Sequence, residues 1–458
     1  MYKNHWIAAE LYNAAIKDKR LVNRLIKTSV LLAEKPHVTI PEACGNWSET
    51  KGAYRLFGND KMSPEAVIMS HRLQTIERMK EHKIVLDIQD TTTLDYTHHP
   101  NVTGMGLCTT SESVKGILAH SSLAVTTSGR PLGLLYQKFW TRDPEDRGKR
   151  HQRKNLPIEE KESYKWLSTL EHSLNDIPSD IMVVTVCDRE ADIYDFFNKA
   201  MSEGKHLLIR ATRDRKLSDE DKYLLSEVES SPIVGETVVN IPRDTRNKLK
   251  PREARLSVQF CPVTIKPPRH RKSDKTLTNL TLYSILVKEV NPPDGIEPIQ
   301  WLLLTTLPVT TIEEAVEKVS WYTQRWKIER YHLTLKSGCK VEELQLETLE
   351  RLQNALAVYS IIAWRLLCIT YEARETPEAP CTVALQDHEW KALYCMAYKV
   401  PVPPKTPPTL KEAVLLIAKL GGFLARKSDG DPGVIVLWRG MSRLNDIAQF
   451  YLITHPTL

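Results

Sequence analysis

Met182-Val183-Val184-Thr185-Val186-Cys187-Asp188-Arg189-Glu190 is the stretch whose reading decides the fold. Six apolar or β-branched residues in succession have the length of a strand covered on both faces, and the run stops abruptly in Asp188. The pattern predicts a buried strand that delivers a carboxylate at its tip, followed by a helix from Ala191 to Met201. Upstream, Ile84-Val85-Leu86-Asp87-Ile88, Ile117 to Val125 and Leu132 to Trp140 read as three more strands, the last two joined by the turn Gly129-Arg130-Pro131. A helix around Glu159 to Leu174 lies between them and the deciding run.

Downstream, a strand from His206 to Ala211 leads into about a hundred residues of β-type runs punctuated by Pro and Gly, including Leu280 to Val290 and Trp301 to Thr306. They read as an inserted sheet. Helical periodicity resumes as one helix from Ile312 through about Lys336, and again from Thr348 to Tyr371. Three strands, a helix, a strand ending in Asp, a helix, a strand, an insertion and a long helix make the plan of an α/β, RNase H-like core. The expected domains are an N-terminal helical domain over 1–70, the α/β core over 71–374 with its β-rich insertion at about 213–310, and a C-terminal helical domain over 375–458. Pro-rich stretches at 377–380 and 400–408 mark linkers, and Leu410 to Leu420 with Leu437 to Leu452 reads as a helical pair.

The 458 residues are 41% hydrophobic and 26% charged, an ordinary globular balance, and the net charge of +6 matters only where it is concentrated. It is concentrated in Arg20, Arg24 and Lys27, one stripe of a helical stretch from Trp6 to Glu34. It is also dense in a loop from Arg142 to Lys154, expected to be mobile and exposed, and in Arg269-His270-Arg271-Lys272. A helix with such a stripe can lie on phosphates, but the segment taken alone favours a solvated face. Eight cysteines without a CxxC pair, and histidines without spaced partners, leave oxygen as the only plausible metal donor. No apolar run has the roughly 20 residues of a membrane span, and Met1 to His5 opens no signal peptide, so a soluble intracellular protein is expected.

Asp90, in Gln89-Asp90-Thr91-Thr92, follows the first strand and would sit beside the strand ending in Asp188. Two carboxylates so close repel unless a cation lies between them. Mg²⁺ takes hard oxygen ligands, and three acids can seat two ions about 3.5–4 Å apart. The third is Glu329, in Tyr322-Thr-Gln-Arg325-Trp-Lys-Ile-Glu329 with Lys336 beyond it; at 100° per residue, Tyr322, Arg325, Glu329 and Lys336 share one 60° arc of a continuous helix. Such a face presents a carboxylate among phosphate-binding donors.

Tyr322-(2)-Arg325-(3)-Glu329-(6)-Lys336 resembles the YREK signature of the IS4 family of DDE transposases. The resemblance extends to Gln89-Asp90-Thr91-Thr92, Val186 to Ile193, Trp301 to Thr305, Gly52-Ala53-Tyr54-Arg55 and Ala418 to Phe423, nearly the whole chain. It implies that Asp90, Asp188 and Glu329 are the catalytic metal ligands, holding two Mg²⁺ ions, with Mn²⁺ able to substitute. It further implies that Tyr322, Arg325 and Lys336 grip the phosphate at the transposon end, that Trp301 stacks a displaced base, and that Arg210 contacts DNA. A core tryptophan and a structural salt bridge are the plainer readings of the last two. Arg20, Arg24, Thr39 and Arg55 would read the end sequence. The implied partners are double-stranded DNA with terminal inverted repeats, target DNA and a second copy in a synaptic homodimer, with no membrane. Leu437, Trp438, Met441, Leu444 and Ile447, at helical spacing, resemble the dimerisation region, although such a stripe also packs into its own core.

The implied reaction is cut-and-paste transposition: nicking, hairpin formation and opening, then strand transfer. The implied setting is the cytoplasm of a bacterium, at the nucleoid when bound to DNA. Leu21, Leu333 and Gln345 depart from the pattern, standing where basic residues are expected. The rival readings are a structure-selective nuclease that joins no strands and a non-catalytic binder that inhibits transposition.

Overall fold

A computed structural model describes residues 5–111, 113–146, 156–219, 222–241, 250–268, 271, 277–426 and 429–455. Arg147 to Lys154 of the charged loop, and Arg269, His270 and Lys272, therefore lie outside the described residues. The chain forms two compact units: Met1–Glu81, Thr91–Lys149 and Lys327–Leu458 make one, and His82–Asp90 with Arg150–Trp326 the other.

In the second of these, β4 (Met182–Cys187) forms where the apolar run predicts it and is buried along most of its length. It pairs in parallel with β1 (Ile84–Asp95), from Ile84↔Met182 to Ile88↔Val186, and on its other side with β5 (His206–Arg210). Beyond β5 the sheet turns antiparallel through β9 (Gln300–Thr305), β8 (Leu280–Glu289), β7 (Arg252–Ile265) and β6 (Gly235–Ile241). The insertion thus extends the core sheet instead of forming its own. The helices of this unit are α6 (Tyr164–Leu174), α7 (Tyr194–Ser202), α8 (Leu224–Ser230) and α9 (Ile312–Thr323). Asp87, fully buried on β1, accepts from Gln89 Nε2 (2.8 Å), Thr185 (3.1 Å) and Ser173 (3.3 Å), which ties β1, β4 and α6 together and answers the cost of a buried carboxylate.

The other unit begins with α1 (Trp6–Leu11), α2 (Lys19–Glu34), α3 (Ile40–Cys44), α4 (Trp47–Phe57) and α5 (Pro64–Met79). The expected continuous helix from Trp6 is interrupted because Asp18 starts a new one, its Oδ1 accepting the Arg20 N–H at 2.9 Å. The antiparallel hairpin of β2 (Gly116–Thr126) and β3 (Pro131–Trp140) follows, with α5 and the 27-residue α11 (Leu349–Glu375) against β3. A buried polar network joins these elements. His71 Nε2 accepts the Leu134 N–H (3.0 Å), so Nδ1 carries the proton given to Glu10 (2.6 Å), and Arg78 donates to Glu10 as well (2.7 Å). Trp364 of α11 lies 4.7 Å from the His71 ring and donates to Pro131 O (3.1 Å). Arg142, expected in a mobile loop, donates to Cys108 O at 2.9 Å.

One helix, α11, is after all long and apolar enough to cross a membrane, but 83% of its apolar window is buried inside the protein, the mark of a core helix. Among the described residues the C-terminal segment holds three α-helices where two are expected: α12 (Asp387–Tyr398), α13 (Leu410–Leu420) and α14 (Val434–Thr454). A Cβ on Gly421 would lie 1.8 Å from Val436 O, and one on Gly440 1.8 Å from Ile417 O, so α13 and α14 meet backbone to backbone only because both are Gly. Leu437 and Leu444 are buried in that helical core, with Met441 packed on it and Ile447 on a smaller cluster. The expected dimerisation stripe is therefore internal, and the exposed apolar residues of α14 are Ile435, Phe450 and Ile453.

Candidate active site

Asp188 ends β4 and begins a short 3₁₀ turn, Arg189–Ala191, its Oδ1 accepting the Glu190 N–H at 2.9 Å. The turn is anchored by Asp192, a residue the sequence reading missed: it accepts from the Thr212 N–H at 2.8 Å and pairs with Arg215. Asp90 lies within β1, which runs on to Asp95, and not past its end. The pairing of β1 with β4 runs as far as Ile88↔Val186, so Asp90 lies two residues beyond it on β1 and Asp188 directly past the end of β4. The Cys187 thiol, next to Asp188 in the chain, feels the charge of both. Burial pushes the fully enclosed Cys187 well up, and the carboxylates of Asp87, Asp188 and Asp90 push it further.

The same unit gathers cations and aromatics near this pair. Burial raises the Tyr322 phenol, while Arg325 and Arg210 pull it back and Asp188 pushes it up, so all three charges reach one hydroxyl. Burial lowers the Arg210 guanidinium; Tyr322 raises it, and Arg189 and Arg325 add like charge. Arg210 also donates to Gln300 O at 3.0 Å, a backbone contact instead of the salt bridge considered for it. Trp301 is half-buried and meets Tyr322 edge to face at 5.3 Å, so it is not an enclosed core tryptophan. Trp326 is 46% exposed with Arg325 5.7 Å from its ring, a second aromatic beside the same arginine.

The continuous helix expected from Ile312 to Lys336 is three pieces: α9, then α10 (Trp326–Leu333), then a π-helical stretch Thr334–Gly338. At the first break Thr323 Oγ1 donates to Ser320 O (2.6 Å), and Gln324 and Arg325 N–H groups bond three residues back, to Trp321 and Tyr322 O. Side-chain competition of this kind is what unwinds helix ends. At the second, Cys339 N–H bonds five residues back to Thr334 O. The single 60° arc therefore does not survive, because its angles assume an uninterrupted α-helix. Glu329 and Lys336 belong to the first unit, where Lys336 Nζ lies 3.9 Å from Glu342. Glu342 in turn accepts the N–H of Asp95 at 2.8 Å. Among the described residues, no three His, Cys, Asp or Glu side chains meet closely enough to hold a metal ion.

At the N-terminus, Arg24 and Lys27 both bond Glu49 of α4, at 2.8 and 2.6 Å, so the basic stripe of α2 is half neutralised. The Lys27 hydrogen bond first, then the charges of Lys27 and Arg24, hold the Glu49 carboxyl below its usual range. Arg20 is 95% exposed, 3.7 Å from Asp18. Arg24 and Arg55 share a cleft of about 360 Å³ with Ser48, Lys51 and Asn59. Neither Arg20 nor Thr39 lines it; Thr39 caps α3, accepting the Glu42 N–H at 3.4 Å.

Three families match this sequence: residues 3–62 match Transposase DNA-binding, residues 137–365 match Transposase DDE domain, and residues 361–452 match Transposase Tn5 dimerisation domain. Asp188 and Glu329 fall within the DDE match and Asp90 before it. A solved piggyBac transposase synaptic complex with hairpin DNA aligns with all of this chain and 80% of that one, at 10% identity and a TM-score of 0.36, too low to bear on the fold.

Proposed function

This chain belongs to the DDE transposases, metal-dependent DNA nucleases and strand transferases, and from that premise we propose that Asp90, Asp188 and Glu329 are its metal ligands in cut-and-paste transposition. The observation that supports the reading is the parallel pairing of β1 with β4 up to two residues before Asp90 and Asp188, together with the buried Cys187 thiol that both charges push up. Such a pair is costly alone and suits hard, divalent cations. When bound, two Mg²⁺ ions, or Mn²⁺ in their place, would supply Lewis acidity to phosphodiester oxygens.

The protein's own residues supply position and charge. Tyr322 and Arg325 hold a phosphate oxygen by hydroxyl and guanidinium donors, with Arg210 adding positive potential, and Lys336 is the further donor of the signature. Trp301, already edge to face with Tyr322, offers a ring for a base displaced when a hairpin bends the duplex. Nicking, hairpin formation, hairpin opening and strand transfer are each in-line displacements at phosphorus, so one phosphate grip serves all four. Arg24 and Arg55, in the cleft of the DNA-binding segment, together with Arg20 and Thr39 outside its lining, would read the terminal inverted repeats, and a homodimer would bridge two ends.

The test is an assay of the full chain on a duplex carrying the inverted repeats that flank its gene. Mg²⁺-dependent nicking, hairpin products and joints to a target plasmid are expected. Nicking without any joints would replace the reading with a plain nuclease.

A further inference from the structure

We propose that Lys327 and Arg374, both on the ring of Tyr371, together with Arg330 one turn along α10 from Lys327, seat a backbone phosphate of DNA distinct from the one held by Tyr322, Arg325 and Lys336. The inference rests on the transposition reading above and adds a second anchor to it. Lys327 Nζ lies 4.0 Å from the Tyr371 ring centroid and Arg374 Cζ 4.9 Å from the same centroid, so the two cations are at most about 9 Å apart. Arg330, one turn along α10 from Lys327, adds a third charge that Lys327 feels together with that of Arg374.

Like charges on half-buried ground repel and lose hydration, and a fold keeps them together only where something of opposite sign compensates. The Tyr371 ring does so in part, through cation–π attraction. The acid at hand is Asp431, 3.5 Å from Arg374 Nε and itself 64% exposed. Among the described residues Lys327 and Arg330 form no ion pair within 4 Å. A phosphate supplies what is missing: guanidiniums grip it with paired donors and an ammonium meets it as a point charge.

The placement fits a strand passing the catalytic residues. At about 100° per residue along α10, Lys327 and Arg330 lie roughly 60° apart, whereas Glu329 is roughly 160° from Lys327. The seat therefore faces away from the carboxylate, about one helix width or ~10 Å from it, one or two nucleotides along a DNA strand. Either transposon-end DNA or target DNA could bring that phosphate.

The experiment uses the full-length chain with Arg330→Gln plus Arg374→Gln, which leaves Lys327 and Glu329 in place, beside Arg330→Lys plus Arg374→Lys. Three quantities are read: binding to a duplex of the flanking inverted repeat across a salt series, strand transfer of a pre-cut end into a supercoiled plasmid, and thermal midpoint. If end DNA occupies the seat, the Gln pair lowers the slope of log affinity against log salt by about 0.9, one phosphate's worth. If target DNA occupies it, the slope holds and strand transfer falls about tenfold, near the worth of one charge-assisted hydrogen bond. In either case the Lys pair, which keeps both charges, retains most of the parent's salt slope and strand transfer. Unchanged slope and unchanged strand transfer in the Gln pair overturn the proposal, as does a Lys pair as impaired as the Gln pair. A parent chain that neither nicks nor joins would instead overturn the transposition reading.

Discussion

Replacing Asp188 by Asn should make the metal-free protein more stable while abolishing its chemistry. Asn accepts a hydrogen bond as Asp does, so the cap on the Glu190 N–H survives and only the charge is lost. Neighbouring strands lie about 4.8 Å apart, so carboxylates on the two repel by at most roughly 3 kcal/mol at an effective dielectric of 20, which partial exposure reduces to about 1–2 kcal/mol. In the presence of a chelator the variant should therefore unfold later in urea than the parent by about that amount, followed through tryptophan fluorescence. Saturating Mg²⁺ should reverse the order, because ions that bind the native site stabilise only the chain that keeps both acids. Nicking of the end duplex should vanish. A variant no more stable than the parent without metal, or one that Mg²⁺ stabilises as strongly as the parent, would refute the view that Asp90 and Asp188 face one another as a pair.

Glu329→Ala should leave the affinity for the end duplex nearly unchanged in an anisotropy titration and eliminate Mg²⁺-dependent nicking; loss of binding would assign Glu329 another role. Trp301→Ala should spare the first nick and deplete hairpins on a denaturing gel, whereas equal loss of both would mean that it acts by packing against Tyr322. Burial pushes the Glu10 carboxyl up, but His71 and Arg78 more than offset it and hold it near 2, below its unfolded value of 4.5. Its stabilisation is thus complete above about pH 4.5 and drains away as pH falls toward 2. Glu10→Gln should cost about 3 kcal/mol near neutral pH and flatten the acid limb of a urea midpoint plotted against pH; a variant limb as steep as the parent's would place the titration elsewhere.

What the sequence disclosed followed from unbroken local patterns. The run Met182 to Cys187 needs no context, since six strand-forming residues bounded by charge can hardly do anything else, and its strand has those bounds. The apolar run suggests that β1 ends at Ile88, but Thr91-Thr92-Thr93, three β-branched residues in a row, carries it past Asp90 to Asp95. The break between α9 and α10 is invisible to a periodicity count, because Thr323 and Gln324 satisfy ordinary helical spacing while their side chains donate to the Ser320 carbonyl. Glu49 could not be foreseen as the partner of Arg24 and Lys27, which lie more than twenty positions before it. The α14 stripe was ambiguous for a deeper reason: a core-facing helix and a partner-facing helix carry the same spacing, and only tertiary contacts tell them apart.

Glu49 has a bearing on how such an enzyme finds its substrate. A protein that must locate two short ends among millions of base pairs loses time on every irrelevant site to which it clings. By occupying Arg24 and Lys27, Glu49 weakens the generic attraction that holds a cationic surface to any duplex. Random encounters then stay brief, and a lasting grip is left for DNA whose shape and bases repay the displacement of that carboxylate.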